Sequence, residues 1–504
     1  MNVKLSKLVI AALASTSLMG FGGLAHADST NDIVNALVMK GVLTEEEGAL
    51  LTKGHTGEIG AAKKEKDSAV HSAGKMAIRG YLQVRNTALL GGENSNKGIN
   101  LWSDRSVGNV YSMADKDKNI IIRRARVIIS GSAGDRLDYY IQPDFASSAS
   151  GTNNIAQLRD YYGDLNLTKD KVHRVRVGQS KVPYGFENLQ SSQNRLALDR
   201  ADAFNSAVRD ERDLGAFYYY TPDNIQKLMK EIQDSGLKHT GNYGLFGLGI
   251  YNGQGANQAD QNSNYHTVAR FSYPWKTESG QIFEAGIQGY SGKYVRSASA
   301  YKRFANQVGT AASWSTASPS VYTAANGPAT APSVNASGSA DGFKDQRVGI
   351  SFMMYPQPFG LQGEWNWGKT PGLELDAGSN ISGTSVKRGE IQQKNLNGGY
   401  IQTMYKIDHV KIGDTDSTVI PFVRWQYFDG YSKAEANSPR NKVNDWELGA
   451  EWQIAPEVEL VAYYHHMNRS NLVTGSIGST NPSGNADYER FKADAIRVQL
   501  QYNF

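Results

Sequence analysis

The sequence contains no cysteine, which removes thiol nucleophiles, disulfides, thiolate-bound zinc and iron–sulfur clusters together. Beyond residue 27 it also lacks any run approaching the roughly 18 consecutive apolar residues that a membrane-spanning helix needs. Charge of one sign is absent too. Lys and Arg number 53 against 49 Asp and Glu, a formal +4, so the composition calls for no nucleic-acid partner. Mean hydropathy is −0.48, which argues against a membrane protein only if such a protein must be helical. Gly (52) and Tyr (27) are plentiful in the 504 residues, and the composition is not that of a disordered chain.

Residues 1–27 read as a secretory signal peptide. Lys4 and Lys7 form a basic start, an apolar run begins at Leu8, and Ala25-His26-Ala27 offers a small-residue cleavage site. Cleavage would remove two lysines and no acid, leaving 477 residues and a formal +2. Residues 28–73 show helical periodicity. Ile33, Val34, Leu37 and Val38 share one face, and Thr44 with Glu47 makes a capping box after Gly41. The expectation is a small periplasmic helical hairpin with a polar tether.

From residue 74 to 504 the apolar period changes from 3.6 to 2. Sixteen candidate strands follow, beginning 75–88, 119–131 and 136–144 and ending 457–467 and 493–504. The links alternate in length. Those at 132–135, 168–170, 275–279, 356–357 and 455–456 are short, whereas 89–118, 182–211, 293–344, 369–395 and 468–492 are long. An even number of strands with short turns at one end and long loops at the other is the pattern of an antiparallel transmembrane β-barrel. The fold class is therefore all-β, a 16-stranded barrel. Its low hydropathy follows, because only the lipid-facing half of each strand must be apolar. In the last strand Ile496, Val498, Leu500, Tyr502 and Phe504 face one way, and the chain stops on that aromatic. A terminal aromatic of this kind resembles the signal read by the outer-membrane barrel assembly machinery. Trp365, Trp367, Trp425, Trp446 and Trp452 fall on the outward face, and Tyr427, Tyr463 and Tyr464 lie near strand ends, as an interfacial girdle would.

Parity places charges on the inner face. Arg124, Arg126, Arg174, Arg176, Lys181, Arg270, Arg424 and Arg497 are the candidate pore-lining cations, and an outward arginine at mid-membrane would cost roughly 2–4 kcal/mol. Acids share that wall: Asp138, Asp144, Glu284, Glu364, Glu447, Glu451 and Glu459. The arginines can therefore form an anion path or pair with the acids as braces, and both readings stay open. Arg123 breaks the alternation. No catalytic or metal motif stands out, and no cofactor is expected. His465 and His466 are adjacent in a strand and must face opposite sides. Asp210-Glu211-Arg212-Asp213 reads as solvated loop charge.

Several elements together resemble the phosphate-selective porin O and P family of Gram-negative outer-membrane channels. They are RRAR at Arg123–Arg126, VRVGQSKVPYGFENLQSS at Val175–Ser192, ERDLG at Glu211–Gly215, GGYIQTMYKI at Gly398–Ile407, and ELGAEWQIAPEVELVAYYHH near the end. The resemblance implies a homotrimer of sixteen-stranded barrels narrowed by inward-folded loops, set in outer-membrane lipid and lipopolysaccharide and passing small ions or oxyanions. The near-neutral charge and the five acids among Arg195, Arg200, Arg209 and Arg212 weigh against assuming strong phosphate selectivity. A second reading is a barrel that sheathes a multihaem electron-transfer partner, which a lumen free of inward loops would favour.

Overall fold

The computed structural model describes residues 76–92, 118–149, 152–295, 342–374, 390–413, 415–435, 438–473 and 487–504. The expected signal peptide, the expected helical hairpin and nearly all of the 293–344 link lie outside the described residues.

The described residues form one antiparallel sheet of seventeen strands. In chain order these are β1 (Ala77–Gly91), β2 (Lys118–Ala133), β3 (Leu137–Ala149), β4 (Thr152–Asn166), β5 (His173–Lys181), β6 (Arg212–Tyr220), β7 (Phe246–Tyr251), β8 (His266–Lys276) and β9 (Ile282–Tyr294). They continue as β10 (Phe343–Met354), β11 (Phe359–Glu374), β12 (Glu390–Tyr405), β13 (Ile407–Ile412), β14 (Thr415–Tyr431), β15 (Arg440–Ala455), β16 (Val458–Val473) and β17 (Asp487–Asn503). β12 and β13 follow each other along the same edge of β14, so they count as one stave. The closed barrel has sixteen staves, each of which overlaps one candidate strand from the sequence.

Closure is made by β1 pairing with β17, from Tyr81 opposite Asn503 to Ala88 opposite Ile496. Phe504 completes it: its N–H donates to the Gly80 carbonyl at 3.0 Å, and the Gly80 N–H returns a bond of 2.6 Å. Closure leaves no unpaired sheet edge, the condition for crossing hydrocarbon with strands.

Alternation sorts the side chains as expected. Outward positions of β17 are exposed at Ile496 and Tyr502, while Arg497, Gln499 and Gln501 are buried inside. Trp365, Trp425 and Tyr427 stack on the outer wall, with Trp446 tilted against them. Tyr464 lies outside, but Tyr463 turns inward and its hydroxyl accepts from Arg497 at 2.9 Å.

Three α-helices and a short 3-10 turn (Arg209–Glu211) occur among the described residues. α1 (Phe186–Leu189) and α2 (Asp202–Asn205) belong to the 182–211 link, which folds into the lumen. α3 (Asp223–Asp234) lies between β6 and β7, on the end otherwise closed by short turns. Ile225 and Ile232 form its buried stripe, and the chain after it carries Leu237 and Lys238 inward. Leu237 packs with Phe186, Leu196 and Leu198 against Met353, Met404 and Phe422 of the wall.

Candidate functional site

The lumen is built first by the strands and their irregularities. In β2, Gln83 of β1 faces Arg124 while Val84 faces Ile122, so Arg123 is an extra, bulged residue. In β4 the register steps from Gln142 opposite Asp160 to Pro143 opposite Leu158, and Arg159 is the extra residue. Each bulge turns two consecutive side chains inward. Arg123, Arg124, Arg159 and Asp160 are all buried. This resolves the broken alternation at Arg123.

All eight sequence-predicted cations are buried on the inner side of the wall. Arg124 donates to Gln83 at 2.7 Å. Arg126 binds Asp144 at 2.7 Å and reaches the Tyr81 hydroxyl at 2.9 Å and the Ser192 hydroxyl at 3.1 Å. Arg176 holds Asp164 through two nitrogens, at 2.7 and 2.8 Å, and lies 3.7 Å above the Tyr162 ring. Arg174 donates to the Asn242 carbonyl and sits over Tyr219. Lys181 donates to the Leu189 and Gln190 carbonyls, where α1 ends. Arg270 pairs with Glu284 at 3.0 Å. Arg424 pairs with Glu187 at 2.9 Å, and Arg497 with Asp199 at 2.5 Å.

Four of these eight, Arg126, Lys181, Arg424 and Arg497, reach the 182–211 segment. Asp199 receives Arg85 at 2.9 Å besides Arg497. Burial alone would push its carboxyl upward, but Arg85, Arg497 and Arg123 outweigh that and hold it well below the usual carboxylate range. Asp202 meets Arg469 at 3.1 Å, and Arg347 and Asn366 both donate to the Ala203 carbonyl. The Glu364 carboxylate accepts the backbone N–H of Phe186 at 2.5 Å and of Glu187 at 2.8 Å, closing the open start of α1. Phe204 packs among Tyr184, Tyr400, Phe428 and Val443. The segment is thus held from β1, β10, β11, β14, β16 and β17.

Charge is segregated around the wall. Across β17 and β1–β6 the buried side chains include ten cations (Arg85, Arg123, Arg124, Arg126, Arg159, Arg174, Arg176, Lys181, Arg212, Arg497) against four acids. Across β7–β16 four arginines face six acids. Of the acids read onto the inner wall from the sequence, Glu284, Glu364, Glu447 and Glu451 fall in that acidic arc, and Asp144 lies in the basic one. Sequence reasoning missed Arg85, Arg159, Arg347 and Arg469. Parity alone would have found Arg85, whereas Arg159 needs the bulge.

Asp210–Asp213, expected as solvated charge, is buried instead. Glu211 accepts from Arg200 at 2.5 Å, Arg212 binds Asp160 at 2.8 Å, and Asp213 accepts the N–H groups of Gly253 and Gly255. One cation stands apart. Arg195, in the inward segment, is 5% exposed, and none of its three guanidinium nitrogens has a hydrogen-bond partner among the described residues. Burial, with Arg200 nearby, pushes it down to about 9, so it stays charged at neutral pH.

The model of the phosphate-selective porin O and P family matches residues 96–504. The chain belongs to that family. It is an outer-membrane channel barrel. The porin's shared-looking elements each have a structural task. In RRAR, Arg123 is the bulge. In the following motif Gly178 has φ 129°, and a Cβ there would sit 2.3 Å from the Tyr161 carbonyl oxygen. Gln179 donates to the Leu158 and Arg159 carbonyls at 3.1 and 2.8 Å, which satisfies the backbone of the β4 bulge. No curated protein sequence matches the porin. Solved structures similar to it include the outer membrane channel DcaP of Acinetobacter baumannii, at 12% identity over 86% of this chain and 98% of that chain (TM-score 0.43). Salmonella typhi OmpF in complex with daunomycin matches at 12% over 86% and 99% (0.46). The anion-selective porin from Comamonas acidovorans matches at 11% over 85% and 99% (0.44).

Proposed function

We propose that the chain is a passive diffusion channel for small polar solutes that favours anions, exported with residues 1–27 removed and assembled as a homotrimer. The observation that carries the anion preference is Arg195, a buried cation whose donors are not committed to protein. An unpartnered buried charge is costly, and an anion in the lumen offsets that cost through the field of the guanidinium. The arginine-rich arc of β17 and β1–β6 supports the same sign by focusing anions on one side of the lumen. On this reading the wall cations, including the eight named from the sequence, set the potential, and Arg195 adds an uncompensated positive charge to it. The sheathing alternative finds less support, because the 182–211 segment occupies the space a threaded partner would need.

The test is reversal potential in planar bilayers under a salt gradient. Wild type is expected to pass anions over cations, and Arg195→Gln to lower that ratio several-fold with folding intact. Cation preference in the wild type, or an unchanged ratio in Arg195→Gln, rejects the proposal.

A further inference from the structure

The outer wall carries a groove of about 570 Å³ across β7–β12. Its floor and walls form one row of directly paired residues on neighbouring strands: Leu248, Ala269, Gly289, Val348 and Trp367. Ala269 and Gly289 are the low points, and exposed Leu248, Val348 and Trp367 stand on either side. The row below, toward the membrane centre, is wholly apolar, running Phe246, Phe271, Ile287, Ile350, Trp365. The row above begins on exposed Ile250 of β7 and is polar from β8 to β12, running Thr267, Ser291, Gln346, Lys369, Asn395. One step higher, Lys293 and Lys344 lie directly opposite each other.

Height along the membrane follows from residue count. From Phe359 at the short-turn end of β11 to Lys369 is ten residues, roughly 25 Å of membrane normal for a strand tilted about 40°. That equals the usual apolar band, so Lys369 marks the outer-leaflet boundary. Lys344 and Lys369 have no carboxylate partner among the described residues, and Lys344 faces a second lysine. Lys344 and Lys369, on neighbouring strands at this height, thus leave two ammonium groups for an anionic headgroup. Apolar, then neutral polar, then cationic is the order of chemistry in an anionic lipid read from chain to headgroup.

We propose that this groove binds one outer-leaflet lipid with a phosphate-bearing headgroup, its acyl chain lying over Ala269 and Gly289 and its phosphate between Lys344 and Lys369. The site is separate from the lumen and does not depend on the solute.

The experiment uses the detergent-solubilised full chain, native mass spectrometry, and diphosphoryl lipid A or its dephosphorylated form as probes. Wild type is expected to retain the phosphorylated probe at least tenfold better than the dephosphorylated one. The double variant Lys344→Gln, Lys369→Gln is expected to lose that preference. Ala269→Leu, which fills the groove, is expected to weaken both probes, and every variant should keep heat-modifiable gel migration and unchanged single-channel conductance. Equal retention by wild type and the double variant overturns the proposal. So does displacement of the probe by millimolar inorganic phosphate alone. A change in subunit number in Ala269→Leu also overturns it, since a second copy of the chain would then be the occupant.

Discussion

Asp199 and Arg497, 298 residues apart in the chain, meet at 2.5 Å inside the barrel. The same carboxylate takes Arg85 at 2.9 Å, so one acid on the inward segment fastens it to both strands that close the sheet. Removing one partner of a buried ion network strands the others and costs about 3–5 kcal/mol. Asp199→Ala is therefore expected to lower the temperature of heat-modifiable gel migration. It should also raise single-channel conductance as the segment detaches. Unchanged conductance would show that the segment is held without this acid.

The bulge at Arg123 makes a prediction that separates two deletions only two positions apart. Deleting Arg123 leaves Arg126 inward, Ala125 outward, Arg124 inward and Ile122 outward, the alternation the ladder with β1 already has on either side. That variant is expected to assemble. Deleting Ala125 instead leaves Arg126 and Arg123 inward and drives Arg124 toward lipid, at roughly 2–4 kcal/mol. Its yield of folded barrel in detergent refolding should fall well below that of the Arg123 deletion. Equal yields would mean that the bulge is not what sorts these side chains.

These cases also show what was readable before the structure. Period-2 alternation is strong wherever one face meets lipid, so all sixteen staves and the inward sense of residues such as Arg126, Arg424 and Arg497 were legible. A bulge breaks that code locally. Arg123 signalled one by violating parity, but Arg159 stands beside inward Asp160 and gave no such sign. Inward folding of 182–211 depends on contacts from remote strands, such as Glu364 with the start of α1, which no local pattern encodes. α3 was missed for a related reason. It sits in a link at the short-turn end, where length alternation leads one to expect no element.

Asp202 gives a pH prediction. It faces Arg469, Asp445, Asn441 and His465, and burial outweighs Arg469 to push its carboxyl from 3.8 to about 6. Between those values the folded barrel keeps a proton that the unfolded chain has released. This contribution to stability is thus fully present below about pH 4 and is lost as pH rises through about 6. Its size is at most roughly 3 kcal/mol. Asp202→Asn should flatten that part of the profile, so the variant should melt higher than wild type above about pH 6 and the gap between them should close toward low pH. A difference that grows toward low pH would reverse the assignment.

Barrel closure rests on a close approach that only glycine permits. A Cβ on Gly80 would lie 2.5 Å from both the Arg126 carbonyl oxygen and the Phe504 ring. The ring can swing aside, but the carbonyl belongs to the β1–β2 ladder and cannot move without loosening it. Gly80→Val must therefore displace backbone at the point where Phe504 pairs with β1. Slower assembly is expected, with unassembled chain accumulating in a timed refolding assay, and Gly80→Ala should show a smaller delay. Phe504→Ala, which removes the ring and keeps the backbone pair, should leave Gly80→Val impaired when the two are combined. If it instead rescues assembly fully, the ring contact is the barrier and the carbonyl is not.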